Sequence, residues 1–338
     1  MSKKEITSQI IQTIKEKRNW WIGLSEKWKN IFKAKINFTN KNDITDEALE
    51  LILNLTELIL SDNEIKDISP LTKLIKLEIL DLSFNNIEDI SPLSKLSNLK
   101  KLDLSFNNFS NLDPLVFGGD YAQESTKLIN LRELNLVKND ISDISSLAEL
   151  SNLESLDLRD IYCSDFTPIA KLYNLSELRL SCGDVSVVSS LAELKKLQLD
   201  GYGADISPIS NLTNLNELHL NLSIIEDISA LSNLTNLNKL NLDGNKIRDI
   251  YPLYKLENLI ELNLSSNDGI TDYSPLKRFT NLKKLNLDRC NKYELTSLYD
   301  ILNGLQYKKL RELILTNNSI SDYAPLKRFW LLTKLNLK

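Results

Sequence analysis

The sequence contains little of what most enzymes use for catalysis. It has one histidine, His219, among 338 residues, and its three cysteines (Cys163, Cys182 and Cys290) form no CxxC pair. Their spacing gives no disulfide framework. The sequence has neither a Gly-rich phosphate-binding loop nor an HExxH zinc motif. We therefore expect no catalytic residues, no metal, no cofactor and no small-molecule substrate.

Long apolar runs and a strong excess of one charge are also missing. The hydrophobic fraction is 42%, yet no run approaches the roughly 20 apolar residues that cross a bilayer. The net charge is −5, from 41 basic and 46 acidic residues, which does not favour nucleic acid as a partner. The start, MSKKEITSQIIQTIKEK, has no apolar core or small-residue cleavage site typical of secretory signals. We expect a cytoplasmic protein, or a secreted one if a signal was trimmed.

The chain is rich in a leucine phrase that recurs at fixed spacing. Residues 77–93 read LEILDLSFNNIEDISPL, which fits LxxLxLxxNxIxDIxPL, and the phrase recurs every 22 residues from Leu55 through Leu99. Such self-similarity indicates a solenoid, in which each repeat buries its neighbour's edge. Twelve regular units begin at Leu55, Leu77, Leu99, Leu131, Leu153, Leu175, Leu194, Leu215, Leu237, Leu259, Leu282 and Leu310, and a last strand spans residues 332–337.

The phrase also predicts how each repeat folds. Alternate leucines of LxL point to one side of a strand, so successive units should form a parallel sheet with one strand per repeat. Proline has no amide donor and suits the first turn of a short 3₁₀ helix rather than a central strand. All eight prolines occupy equivalent slots or a close variant: Pro70, Pro92, Pro114, Pro168, Pro208, Pro252, Pro275 and Pro325. The predicted fold is a right-handed α/β solenoid, with a concave parallel sheet and a convex side of 3₁₀ or irregular segments and one α-helix at residues 293–305.

The first 35 residues do not follow the repeat. Isoleucines recur there at helical spacing, and Ser25 is a candidate N-cap for a second helix that contains Trp28 and Phe32. We expect residues 1–35 to form a helical cap on the exposed edge of the repeat domain, residues 36–338. A basic amphipathic helix that lies on a membrane is the alternative. Ile36 and Phe38 occupy strand positions of a degenerate first repeat, and a helix should follow at DEALELILN.

The phrase LxxLxLxxNxIxDIxPLxxLxN resembles the 22-residue class of leucine-rich repeat. That class occurs in bacterial internalins and in a eukaryotic regulatory subunit of protein phosphatase 1, and the resemblance covers about 300 of the 338 residues. It implies a curved scaffold that binds other proteins on its concave sheet. A C-terminal immunoglobulin-like domain or wall anchor, as in internalins, is not recognisable in the sequence.

The repeat is broken in two ways that bear on function. The Asn of LxxN is replaced in four successive units by Ile161, Gly183, Tyr202 and Ser223, and later by Cys290. The gap marks either a binding surface or drift in a tolerant repeat. The unit that starts at Leu99 is ten residues longer than the standard, and its extra loop at residues 116–127 is either a second candidate site or a tolerated surface insertion. The candidate loop residues are Phe117, Asp120 and Tyr121.

Residues between the strand leucines should face the hollow in one central column. We predict that this column is formed by Ile59, Asp81, Asp103, Asn135, Asp157, Arg179, Gln198, His219, Asn241, Asn263, Asn286, Ile314 and Asn336. Exposed aromatic and arginine side chains among polar neighbours are typical of protein-binding hot spots. The candidate contact residues are Asp81, Phe84, Asp103, Phe106, Asp157, Arg159, Arg179 and His219.

Two readings of this face stay open. Phe84 and Phe106 either contact a partner or pack on each other as a variant of the repeat. Asp81, Asp103 and Asp157 either attract a basic partner or form a solvated face. The favoured function is a non-enzymatic scaffold that binds a partner protein. The alternatives are a regulatory subunit that targets an enzyme such as a phosphatase, and a secreted or surface adhesin.

Overall fold

The computed structural model contains two compact units, Met1–Asn152 (the N-terminal unit) and Leu153–Lys338 (the C-terminal unit). It describes residues 3–39, 43–117, 128–181, 184–201, 205–221, 224–290, 309–318, 324–329 and 331–337. Within these ranges, no helix combines the length and the apolar composition that a membrane span requires.

Three α-helices open the N-terminal unit: α1 (Lys3–Gly23), α2 (Glu26–Lys35) and α3 (Asp46–Leu53). The hydroxyl of Ser25 accepts a hydrogen bond from the Trp28 amide at 3.4 Å, so this residue is the N-cap of α2, as expected. Thr45 caps α3 in the same way through the Ala48 amide at 3.2 Å. The helix predicted at DEALELILN is therefore present as α3.

The expected strand at Ile36 and Phe38 is wrong. The chain there closes α2 instead, because the Phe38 amide donates to the Lys33 carbonyl at 2.8 Å and the Asn37 amide donates to the Ala34 carbonyl at 3.1 Å. Asn37 has a φ of 54°, which is the left-handed conformation that such a helix end requires. A residue engaged in this C-terminal turn cannot extend into a strand.

The helices pack against the first repeat, in agreement with a capping role. Trp28 and Phe32 are buried and their rings lie 5.3 Å apart. The indole N–H of Trp28 donates to the Asp67 carbonyl, and that of Trp20 donates to the Pro70 carbonyl, both at 3.2 Å. Asp67 lies just before the first 3₁₀ helix (Ser69–Lys73) and Pro70 lies within it, so α1 and α2 both contact this segment of the first repeat.

The strands of each unit are parallel and follow chain order. In the N-terminal unit they are β1 (Glu57–Ile59), β2 (Ile79–Asp81), β3 (Lys101–Asp103) and β4 (Glu133–Asn135). The central leucine of each strand pairs with that of the next, and all four are buried. In the C-terminal unit the strands are β5 (Ser155–Leu158), β6 (Glu177–Leu180), β7 (Lys196–Asp200), β8 (Glu217–Asn221), β9 (Lys239–Asn241), β10 (Glu261–Asn263), β11 (Lys284–Asn286), β12 (Glu312–Ile314) and β13 (Lys334–Asn336).

The prolines lie where the sequence predicts them. All eight fall within short 3₁₀ helices, which span Ser69–Lys73, Ser91–Lys95, Asp113–Leu115, Thr167–Lys171, Ser207–Ile209, Tyr251–Lys255, Ser274–Arg278 and Ala324–Arg328. In six of these helices an aspartate caps the first turn by accepting the amide hydrogen of the residue two positions on. Asp205, for example, accepts from Ser207 at 2.8 Å. This geometry explains why aspartate, isoleucine and proline recur together.

A buried asparagine closes the turn after five of the described strands. The Asn267 side chain is fully buried and donates to the carbonyls of Leu242, Leu264 and Ser265 at 2.8–3.0 Å. Its Oδ1 accepts the Ile247 amide at 3.1 Å. One side chain therefore satisfies backbone groups of two successive repeats. Cys290 extends the ladder in place of an asparagine, because its thiol donates to the Leu264 carbonyl at 3.0 Å. Burial raises the pKa of this thiol to about 12.

A second asparagine ladder, which the sequence analysis did not identify, lies before the strands. In this ladder each side-chain amide donates to a carbonyl in the matching turn of the preceding repeat, as Asn236 does to Thr213 at 2.8 Å. The other described members are Asn98, Asn130, Asn152, Asn214, Asn258 and Asn281. The signal was present as the recurrent NL dipeptide just before most strands.

The two ladders predict unequal costs of asparagine removal. We expect Asn267→Ala to lower the free energy of unfolding by about 2–4 kcal/mol, because it leaves several buried backbone groups without partners. Asn236→Ala removes one exposed bond and should cost roughly 0.5–1 kcal/mol. Urea unfolding followed by circular dichroism measures both. Equal costs for the two variants would contradict the structural role assigned to the buried ladder.

The capping aspartates predict a loss of stability in acid. Backbone hydrogen bonds from Thr167 and Ser207 lower the pKa of Asp165 and Asp205 below its ordinary value. A carboxylate with a lowered pKa in the folded state stabilises the fold above the unfolded-state pKa of about 3.9, and this stabilisation is lost as the pH falls through the folded-state pKa. We therefore expect the urea concentration at the unfolding midpoint to decrease when the pH is lowered below about 4.

Asparagine at these positions should keep the bond and remove the titration. The chain already uses Asn111 in this way, since its Oδ1 accepts the Asp113 amide at 2.9 Å. The double variant Asp165→Asn, Asp205→Asn should therefore show a smaller decrease of the urea midpoint between pH 5 and pH 3 than the wild type. A decrease as steep as that of the wild type would show that these caps do not cause the acid sensitivity.

Candidate functional site

The predicted central column is confirmed within each unit by the strand register. In the N-terminal unit Ile59 pairs with Asp81, Asp81 with Asp103, and Asp103 with Asn135. In the C-terminal unit the pairing runs from Asp157 through Arg179 to the strands beyond. These residues alternate with the buried leucines, so they lie on the opposite side of each sheet, which we call the open face.

A second column of residues lies beside the central column, and its members share a left-handed backbone conformation. Asp62, Phe84, Phe106 and Lys138 each follow a strand by three residues and have φ between 53° and 56°. Each also precedes the asparagine position of its repeat. The left-handed conformation costs roughly 1–2 kcal/mol for a residue other than glycine and is unusual for a bulky side chain. The C-terminal unit places Gly201 and Gly244 at the same slot, at φ of 72° and 71°.

Phe84 and Phe106 form an exposed aromatic pair at this slot. Their ring centroids lie 4.1 Å apart with an interplanar angle of 12°, so the packing of the two rings on each other is confirmed. The Lys138 ammonium lies 5.1 Å from the centroid of the Phe106 ring. Phe84 nevertheless remains 52% exposed. Mutual packing therefore leaves one large apolar surface accessible to a partner.

Asp81 and Asp103 lie on the open face next to the aromatic pair. One carboxylate oxygen of Asp81 accepts the Ser83 amide and hydroxyl at 2.9 and 2.6 Å, and Asp103 is bonded to Ser105 in the same way. Asn135 donates to the second oxygen of Asp103 at 2.8 Å. The serines hold these carboxylates in fixed orientations on a half-buried surface.

Asp157 differs from the sequence-based expectation of a carboxylate open to a basic partner. It is only 6% exposed and accepts from Arg159 through Nε at 2.9 Å and Nη2 at 2.7 Å. Arg179 approaches the same carboxylate at 3.4 Å and also pairs with Glu177. The structure thus brings these candidates together as an internally neutralised cluster, because a carboxylate buried in this position requires cationic partners.

The single histidine lies on the open face of the C-terminal unit. His219 Nε2 is 2.9 Å from a carboxylate oxygen of Glu217. Burial alone would raise the pKa of Glu217, but the bond to His219 and the charge of Lys239 lower it below its ordinary value. No group of three or more His, Cys, Asp or Glu side chains in the described ranges is arranged to hold a metal ion.

An alternation of charge in the C-terminal unit was missed by the sequence analysis. From β6 to β13 the residue before the central leucine is alternately Glu and Lys, and neighbouring strands place these residues in register. Glu261 and Lys284 lie 3.7 Å apart, and Glu312 and Lys334 lie 2.5 Å apart. The signal is visible in the sequence when the repeats are aligned. It produces a column that is electrically balanced along its length.

The inserted loop lies largely outside the described residues. Val116 is buried and Phe117 is 51% exposed, with its amide donating to the Asp113 carbonyl at 2.7 Å. The candidates Asp120 and Tyr121 fall outside the described ranges, as do the predicted helix at residues 293–305 and three of the four substituted asparagine slots, Gly183, Tyr202 and Ser223. The fourth substituted slot, Ile161, is described and half-buried.

Comparison with known families and structures supports this fold. A family model described as Leucine Rich repeats (2 copies) matches residues 53–95, 75–116 and 129–176, and one described as Leucine Rich repeat matches residues 255–272. No curated protein matches the sequence. An internalin, InlF, from Listeria monocytogenes is 29% identical with a TM-score of 0.78, over 93% of this chain and 95% of that one.

Two further solved structures are similar. Internalin C2 (InlC2) of Listeria monocytogenes is 27% identical, with a TM-score of 0.54 over 71% of this chain and 93% of that one. A leucine-rich repeat protein of Leptospira interrogans is 23% identical, with a TM-score of 0.69 over 87% of this chain and 75% of that one, and supports the fold alone. The chain therefore contains leucine-rich repeats and has the leucine-rich repeat fold, and the solved structures to which it is similar include internalins.

Proposed function

We propose that the protein is a non-enzymatic scaffold that binds a partner protein through the open face of its N-terminal unit. The observation that carries this proposal is the exposed Phe84–Phe106 pair at positions of left-handed backbone. The residues that complete the surface are Asp81 and Asp103. A repeat fold with this kind of open sheet is typical of proteins that bind other proteins.

The fold gains little stability from phenylalanine at this slot. Each ring is held by a backbone conformation that costs roughly 1–2 kcal/mol, while a stacked pair contributes about 0.5–1.5 kcal/mol beyond the area it buries. Gly244, Ser266 and Asn317 occupy the same slot in other repeats. An aromatic pair without a clear benefit to stability is better explained by contact with a partner, because aromatic side chains dominate protein-binding hot spots.

Replacement of both rings should therefore leave the fold intact. Asparagine tolerates the left-handed conformation, so we expect the double variant Phe84→Asn, Phe106→Asn to change the free energy of unfolding by less than about 1 kcal/mol. Leu82→Ala, which empties a buried strand-end position beside the pair, should cost about 2–5 kcal/mol. Urea unfolding compares the two variants. A cost for the double variant as large as that of Leu82→Ala would assign the rings to the core of the fold.

The same double variant tests binding. Wild-type protein, the double variant and a matched control, Ser266→Asn with Arg289→Asn, would be used to capture proteins from a lysate of the producing cells, followed by mass spectrometry. The control changes the same slot in two repeats of the C-terminal unit. We expect a protein that is held by the wild type and the control and lost from the double variant. Equal capture of every protein by all three would contradict binding at this face.

A further inference from the structure

The residues at the left-handed positions of the N-terminal unit form a column, which we call the slot column. The order of their side chains favours one kind of ligand. Successive repeats place Asp62, Phe84, Phe106 and Lys138 at the same backbone position. The amide of each of the first three donates to the carbonyl that precedes the next slot residue, at 3.1, 2.9 and 2.7 Å. Neighbouring slots are thus one strand spacing apart, about 4.8 Å. The column runs from an acid through two rings to a base.

One face of the Phe84 ring remains available within this column. Phe106 is covered on both sides, by the Phe84 ring at 4.1 Å and by the Lys138 ammonium at 5.1 Å. Phe84 uses one face for Phe106, and its other face is turned toward the repeat that carries the exposed Asp62. Among the described residues, no cation forms an ion pair with Asp62 and no second ring contacts Phe84. A flat cation would therefore meet an aromatic face and a carboxylate at the same point.

The surrounding charges favour the same ligand. The open face around the rings carries Glu57, Asp81 and Asp103, whereas the cation on the neighbouring strand, Lys101, is already paired with Glu133 at 2.7 Å. The hydrogen bond to Glu133, with further help from the charges of Asp103 and Asp81, raises the pKa of Lys101. The corresponding face of the C-terminal unit alternates Glu and Lys instead. The three carboxylates near the aromatic pair therefore favour a cationic ligand.

We propose that the partner stacks an arginine side chain on the free face of Phe84, with the guanidinium N–H groups directed at the carboxylate of Asp62. A guanidinium is planar, stacks on aromatic rings and pairs with carboxylates, so it matches both walls better than an ammonium does. In the complex the stack would continue the pattern that Lys138 begins at the other end of the column. The proposal rests on the proposed function, since it names the partner group that the protein-binding face recognises.

The test uses the full chain and a displayed library of short random peptides. Peptides would be selected for binding to the wild type. The fraction of each that is retained would then be measured on the variants Phe84→Asn, Asp62→Asn and Asp160→Asn. Asp160→Asn is the control, because it removes a carboxylate from the same slot in the C-terminal unit. Synthetic versions of the retained sequences would carry arginine or its neutral isostere citrulline, and their affinities would be measured by fluorescence polarisation.

The expected result has three parts. Peptides that depend on Phe84 should be enriched in arginine, and citrulline should weaken them about 5- to 30-fold, the combined size of a cation–π contact and a surface ion pair. Asp62→Asn should weaken them about 2- to 5-fold, and Asp160→Asn should have no effect. The loss at Asp62 should shrink in high salt.

The possible failures are distinguishable. If peptides depend on Phe84 but show no arginine enrichment, or bind equally well with citrulline, the arginine site is wrong and the protein-binding face stands. The same holds if Asp62→Asn and Asp160→Asn behave alike. If no selected peptide loses affinity on Phe84→Asn, both the arginine site and the proposed function are contradicted.

Discussion

The turn that follows each regular strand is the constraint on which the rest of the structure depends. A buried asparagine, such as Asn85, bonds to backbone groups of its own repeat and of the preceding one, and the residue before it has a positive φ. The turn therefore gives a solvent-facing residue a left-handed backbone conformation. The leucines supply the burial that makes neighbouring repeats cohere. The asparagines supply a fixed row of display positions, and Phe84 and Phe106 occupy two of them.

Periodicity made most of the fold predictable. Strand positions, the central column and the 3₁₀ helices at the prolines all follow from a repeat of 22 residues, because side-chain direction in a strand depends only on register. The strand expected at Ile36 failed because a local signal, Asn37 at the end of α2, outweighed a weak match to the repeat. Helix ends are set by single residues, and the repeat pattern carries no information about them.

The sequence predicted most residues of the candidate site, but it predicted fewer of the contacts between them. The sequence placed Phe84 and Phe106 beside the open face. Which face of each ring is covered and which is free depends on dihedral angles, and the sequence pattern does not give these. Asp157 appeared equivalent to Asp81 and Asp103, whereas two arginines bury and neutralise it. The sequence shows that Arg159 lies two residues from Asp157 and that Arg179 occupies the next place in the central column, but it does not show that both side chains turn onto this carboxylate.

The proposed binding surface is the open face of the N-terminal unit. The most direct measurement is hydrogen–deuterium exchange of the full chain, alone and with a peptide or protein that binds it. We expect new protection confined to the turns after β2 and β3, around Phe84 and Phe106, where amides lie at the edge of the open face. Protection confined to the open face of the C-terminal unit, or to Phe117 and its neighbours, would contradict it.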